Sequence, residues 1–475
     1  MAYVHDKQPP NGQNPSQVVV VMVPLPAQGH LNQLLHLSRL ISAYKIPVHF
    51  IGSATHNRQA KLRVHGWNPN STTNNYIHFH DFAIPTPPPP PPNPSSPIIT
   101  KFPSHLVSTF EAAGHLREPV ATLLRQLSSD ARRVIVIYDA LMVPVVQDVG
   151  SIQNAESYTF QTVSAFVALL NSWEAMGKPL EEELKTLIPQ DVPSFEGCVP
   201  FEILGFLIPR FEMIQKLNSS NIYNTSRVIE GTYIELLDKI LQNKKNWAIG
   251  PFNPVLEKKA SNGKHFCLEW LDRQQPNSVI YASFGTTTAF TDQEIEELAI
   301  GLEQSGQKFI WVVRDADKGD VFDEEQVRKV ELPKGYEERV KSRGIVVRDW
   351  APQLEILSHS STGGFLSHCG WNSCMESITM GVPIGAWPMH SDQPRNTVLL
   401  TKLLKVGIVV RDWKLRDEVA TADVVANGVK KLMASEEGEE IRKRAAKLGG
   451  SVRQSMDDGG ASRLELDSFV AHLSR

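Results

Sequence analysis

Cysteine is scarce: Cys198, Cys267, Cys369 and Cys374 are the only four in 475 residues, and no charged start followed by an apolar run opens the chain. A disulfide framework is not expected, and a reducing, cytoplasmic setting fits. No apolar run approaches the ~18 residues of a membrane span. Charge of one sign is missing too, since 48 Lys and Arg stand against 52 Asp and Glu for a net charge of -4. Without a basic footprint for nucleic acid or an anionic bilayer, a small-molecule partner is favoured. The sequons beginning at Asn70, Asn218 and Asn224 read as chance in such a setting.

The length is too great for one ordinary core, and at roughly 100–200 residues per domain it suggests two. The opening residues 1–16 are polar and read as disordered. VVVVMV (18–23) is an apolar run of strand length, and Leu34, Leu37, Leu40 and Ile41 then recur at helical spacing. IPVHFIG (46–52) and RVIVIYDA (133–140) repeat the strand signal, separated by stretches long enough for helices. That rhythm predicts an N-terminal α/β domain over 17–245 with a parallel sheet between helices. Residues 246–264 dissolve into Pro, Gly, Asn and Lys and read as a linker. A second series follows over 265–455, with strands at 278–285, 309–313, 344–349, 363–367 and 382–388. Its helix TDQEIEELAIGL opens on Thr291 and Glu294 as a capping box. Residues 456–475 are expected to form a C-terminal helix packing back on the first domain. Two doubly wound domains of this kind place their ligand in the cleft between them.

Some features have plain readings. The proline run at 87–92 is a surface loop, a spacer more than an SH3-type ligand. HFHD (78–81) has a His-x-His spacing, but without further clustered ligands it reads as a strand with one polar face. No metal or other cofactor is expected.

LSHCGWNSCMESITMGVP (366–383) is the most informative stretch. A strand ends at Ser367, a short loop follows, and a helix starting around Asn372 and Ser373 runs to Gly381. Amides at such a start suit a diphosphate, which His368 can also hydrogen bond. Glu376, one turn in, can accept from a ribose diol. The same residues would equally serve a capped helix around a core tryptophan. In DWAPQLEILSH (349–359), Trp350 can stack on a flat base and Gln353 can read its edge. In HSDQ (390–393), Asp392 and Gln393 can grip sugar hydroxyls.

Residues 350–393 together resemble the 44-residue signature of plant UDP-sugar-dependent glycosyltransferases, from the initial Trp to the final Gln. The resemblance implies two facing Rossmann-like domains of GT-B type, with the nucleotide sugar held mainly by the second. It places Trp350 on uracil, Ala351 and Gln353 on the base, and Glu376 on the ribose. His368, Asn372 and Ser373 fall on the diphosphate, Trp371 near the sugar, and Asp392 and Gln393 on sugar hydroxyls. Thr286, in SFGT, matches the position that touches phosphate. The final Gln393 favours UDP-glucose over UDP-galactose, with UDP-xylose left open.

PAQGH (26–30) matches the family's catalytic histidine, His30, and Asp139 matches its partner aspartate. Such a histidine removes the proton of an acceptor hydroxyl as the bond to the sugar forms, while the aspartate fixes the tautomer and stabilises the imidazolium. Asp139 can also cap the helix that follows it. Attack opposite the departing UDP inverts the anomeric centre. In the N-terminal half, ATHNRQAK, KFPSHL and HLREPVA are similar to the zeatin O-glucosyltransferase group, as is Asn32-Gln33 after His30. Tyr138-Asp139-Ala140 departs from the His-Asp-Ser of that group, so a flavonoid, phenylpropanoid or terpenoid alcohol stays open as acceptor. A nicotinamide-dependent oxidoreductase would show GxGxxG after the first strand, which VPLPAQGHLNQ lacks; a non-catalytic nucleotide-sugar binder would lose His30 or Asp139, and both are present. A monomer acting on a UDP-sugar and a small hydroxylated acceptor is expected.

Overall fold

Valine-rich β1 (Val18–Val23) is buried along its whole length, as a central parallel strand covered on both faces must be. Around it assemble β2 (Val48–Gly52), β3 (Ile77–Asp81), β4 (Arg133–Asp139), β5 (Ala155–Gln161), β6 (Ser220–Tyr223) and β7 (Asn246–Ala248), in the order β3-β2-β1-β4-β5-β6-β7. Every pairing in this sheet is parallel. The second sheet holds β8 (Val279–Ser283), β9 (Lys308–Val312), β10 (Gly344–Val347), β11 (Thr362–Ser367), β12 (Ile384–Ala386) and β13 (Gly407–Val409), ordered β10-β9-β8-β11-β12-β13 and again parallel. The computed structural model describes residues 17–64, 66–69, 76–85, 105–177, 187–199, 201–217, 219–241, 244–254, 265–314 and 330–475. The segment 1–16, the proline run, Asn70, Asn218 and most of the presumed linker lie outside the described residues.

Both sheets share one topological feature. The order reverses between β1 and β4 in the first and between β8 and β11 in the second. At such a switch point the connections leave in opposite directions, opening a crevice at the carboxyl ends of the two strands. His30 follows β1, Asp139 ends β4, Thr286 follows β8 and His368 to Glu376 follow β11, while Trp350 to Gln353 follow β10 and Asp392 and Gln393 follow β12.

The linker starts later than its composition suggests. Residues 246–248 are strand β7, and Trp247, Ile249 and Phe252 are buried in the N-terminal core. A three-residue strand followed by Gly and Pro is too short to register as a hydrophobic run. The C-terminal helix Ala461–Leu473 buries Leu466, Phe469 and Leu473 in that same core, with the Phe469 ring 5.6 Å from Tyr158 and 5.1 Å from Trp247. The second domain's chain therefore ends on the first. Arg227 strengthens the attachment through Glu465 at 2.8 Å.

Candidate functional site

Helix α1 (Gln28–Ser42) begins directly after the turn that ends β1, and its apolar stripe of Leu34, Leu37 and Ile41 is fully buried. This packing fixes the first turn, so His30 projects from the carboxyl end of β1. Asp139, the last residue of β4, comes from the neighbouring strand at the switch point. His30 Nδ1 lies 2.6 Å from Asp139 Oδ2, and the other carboxylate oxygen accepts from the Leu141 amide at 2.9 Å. The helix-cap and histidine-partner roles thus coexist in one side chain. A carboxylate only accepts, so Nδ1 carries the proton and Nε2 keeps its lone pair. Asp139 is fully buried while His30 is 25 % exposed. Burial works against a charged His30, but the Asp139 charge and hydrogen bond, with the Asp392 charge, outweigh it and raise its pKa above 6.5.

His30 opens on a cavity of about 330 Å³ between the two domains. All the site residues expected from the sequence, except Asp139, line it: Thr286 after β8, Trp350 and Ala351 after β10, His368 after β11, and the rest from the helices that follow. Asp139 stands behind His30.

Helix Trp371–Met380 starts one residue earlier than its composition suggests, with Gly370 as N-cap, and Gly381 ends it at φ 74°. Cys369, at φ 65°, takes a left-handed conformation that non-glycine residues rarely hold, and it aims the helix start at the cavity. His368 packs so close to the backbone that a Cβ at Gly285 or Gly370 would come within 2.6 or 2.5 Å of its Nε2. Its Nδ1 has no protein partner although buried. Burial, with His390 nearby, pushes its pKa down to about 3, so it stays neutral.

Glu376 is buried, and burial pushes its pKa up to about 7 against the opposing hydrogen bonds of Gln353 and Asn372. Asn372 Nδ2 donates to it at 3.0 Å and Gln353 Nε2 at 2.7 Å. Gln353 also donates to Ser373 Oγ at 3.0 Å. Its amide nitrogen thus ties the Glu376 carboxylate to the Ser373 hydroxyl. Asp392 accepts from Asn396 Nδ2 at 2.7 Å, and burial raises its pKa to about 6. The Gln393 side-chain oxygen accepts from the amides of Met389 at 2.8 Å and His390 at 3.1 Å. Its nitrogen lies 3.4 Å from His390 Nδ1.

Several residues that hold the site together carried no signal in the sequence. Trp371 Nε1 donates to Asn224 O at 2.9 Å, bolting the helix start to the N-terminal domain. Asn224 itself is 1 % exposed, out of reach of any glycan. Ser164 Oγ donates to Asn396 Oδ1 at 2.9 Å across the same boundary. The buried guanidinium of Arg395 meets Asn171, Glu174 and the Pro193 carbonyl at 2.6–3.0 Å. The wall contributed by the N-terminal domain is mainly apolar, with Val107, Phe110, Val167, Val199 and Phe206 among its residues. Only the folded chain brings these together, because they lie on segments far apart in sequence. Among the described residues no group of three or more His, Cys, Asp or Glu could hold a metal, and no helix is long and apolar enough to cross a membrane. His78 and His80 lie on β3, His80 Nε2 lying 2.8 Å from His49 Nδ1.

Comparison with known proteins agrees with this geometry. Residues 16–254 match the family described as glycosyltransferase, N-terminal domain, and residues 254–442 match UDP-glucoronosyl and UDP-glucosyl transferase. A zeatin O-glucosyltransferase of Phaseolus lunatus is 56 % identical over 462 residues, covering 97 % of this chain and 98 % of that one. A zeatin O-xylosyltransferase of Phaseolus vulgaris is also 56 % identical over 462 residues, covering 97 % and 99 %. Among solved structures, Phytolacca americana UGT2 complexed with UDP-2fluoro-glucose and pterostilbene superposes with a TM-score of 0.72 at 27 % identity, covering 97 % of this chain and 100 % of that one.

Proposed function

The chain belongs to the UDP-sugar-dependent glycosyltransferases, with the two Rossmann-like domains of the GT-B fold, and from that premise we propose that it transfers glucose from UDP-glucose to the side-chain hydroxyl of zeatin with inversion. The observation that carries the reading is the His30–Asp139 pair, set 2.6 Å apart on the cavity that the donor signature also lines.

In this reading the donor's uracil stacks on Trp350 against the Ala351 backbone, and its ribose hydroxyls donate to Glu376. The diphosphate sits at the start of helix Trp371–Met380, with Thr286 and His368 beside it. Asp392 and the Gln393 amide hold the sugar, and Trp371 closes the wall next to it. The acceptor hydroxyl gives its proton to His30 Nε2 as its oxygen bonds to C1 of the sugar. The bond from C1 to the phosphate oxygen breaks on the opposite face, and UDP departs with the electron pair. Asp139 stabilises the imidazolium so formed, which afterwards returns its proton to water. Negative charge growing on the diphosphate is met by helix amides and the neutral imidazole of His368. These side chains supply the base and the anion site without a metal or other cofactor.

Similarity weighs equally toward a glucosyl- and a xylosyl-transferring relative, and Gln393 favours glucose. A panel of trans-zeatin, cis-zeatin, a flavonol, a coumarin and a terpenoid alcohol, each with UDP-glucose and UDP-xylose, tests the assignment by product mass and anomeric coupling. Fastest turnover is expected for a zeatin with UDP-glucose, giving a β-linked product. An unmodified zeatin would overturn the acceptor, and preference for UDP-xylose would overturn the donor.

A further inference from the structure

Helix α2 (Ala54–Arg63) ends on an arginine that reaches into the other domain. The Arg63 guanidinium carbon lies 4.7 Å from the centre of the Trp350 ring, and Arg314 approaches the same ring at 5.6 Å. Arg314 and Trp350 both belong to the cavity wall, whereas Arg63 does not. The indole is thus backed from outside the cavity by a residue of the N-terminal domain. We propose that Arg63 is a donor-positioning residue: it braces Trp350 across the domain boundary and so holds the plane on which the donor's base stacks. This rests on reading Trp350 as the base platform.

A guanidinium over an indole is attracted by the ring's quadrupole, and its flat shape supports a ring face as a lysine ammonium does not. The position at the last turn of α2 is favourable for a cation, since the helix dipole places partial negative charge there. Helix α2 is also held fast. Ser53 caps it by accepting from the His56 amide, and Asn57 donates to the His80 carbonyl at 2.9 Å and to Asp81 at 2.7 Å. Gln59 donates at 2.9 Å to Gln28, in the first turn of α1. Arg63 therefore links the donor's base plane to the layer that carries His30.

The test is a double-mutant cycle on the full chain, with Arg63→Ala, Arg63→Lys, Trp350→Ala and the Arg63/Trp350 double alanine variant. UDP affinity is read by calorimetry alongside steady-state kinetics. Arg63→Ala is expected to weaken UDP binding about two- to fivefold and to raise the donor KM alike, leaving kcat, acceptor KM and thermal midpoint unchanged. Arg63→Lys should recover part of the loss, and the Arg63→Ala effect should vanish when Trp350 is alanine. Unchanged or tighter UDP binding in Arg63→Ala, or an equal loss with Trp350 absent, would overturn the proposal while leaving the platform intact. Undiminished UDP affinity in Trp350→Ala would instead remove the platform reading, and this inference with it.

Discussion

His30 is subject to opposed influences, and their balance predicts how the reaction responds to pH. A base must be neutral to accept a proton, yet Asp139 and Asp392 raise the His30 pKa above 6.5 despite its burial. The acid limb of kcat/KM is therefore expected to have its midpoint above 6.5, with activity lost as pH falls through it. Asp392→Asn removes a negative charge and should shift that midpoint downward, besides weakening sugar binding. A midpoint that stays put in the Asp392→Asn profile would show that the two domains do not communicate electrostatically at the reacting centre. Asp139→Asn should cost about 10²–10⁴-fold in rate, because the tautomer and the imidazolium lose their partner together. His30 and Asp139 were legible through their match to the family's catalytic pair, since local pattern alone reads them as a histidine near a helix start and a helix-capping aspartate. What local pattern cannot give is the commitment of Gln353 to Glu376 and Ser373, which depends on two helices meeting in space.

At the scale of elements, most strands announced themselves, polar-faced β3 and three-residue β12 among them, whereas β5, β6, β7 and β13 did not. The β-branched run of β1 and the capping box at Thr291 and Glu294 appear as the sequence implies. Strand β5, reading AESYTFQ, and the short β6 and β7 have too few apolar residues to stand out, whereas β13 lies inside VGIVV (406–410), an apolar run that was not among the expected strands. They form because neighbouring strands supply the ladder and the layers supply the burial. The C-terminal helix, expected to pack back on the first domain, does so through Leu466, Phe469 and Leu473. Phe469 is fully buried between Tyr158 and Trp247. Phe469→Ala is expected to destabilise the protein by about 3–5 kcal/mol, read as a lower denaturation midpoint for the N-terminal domain. A loss below about 1 kcal/mol would mean that the helix does not complete that core.

At the scale of the whole molecule, two sheets place their switch points face to face. The first carries the His30–Asp139 pair and a largely apolar wall, and the second carries a more polar wall of the same cavity. Trp371, Asn396 and Arg395 fasten the halves by hydrogen bonds that cross the cleft. In the proposed reading donor binding and proton removal fall to different halves, and one variant probes the separation. The decisive measurement compares His30→Ala with the unaltered protein, titrating UDP by calorimetry and following glucose transfer to zeatin on the same samples. UDP affinity within about twofold of the original, with transfer lowered at least about 10²-fold, is the predicted result. Transfer that persists at its original rate without His30 would contradict the account.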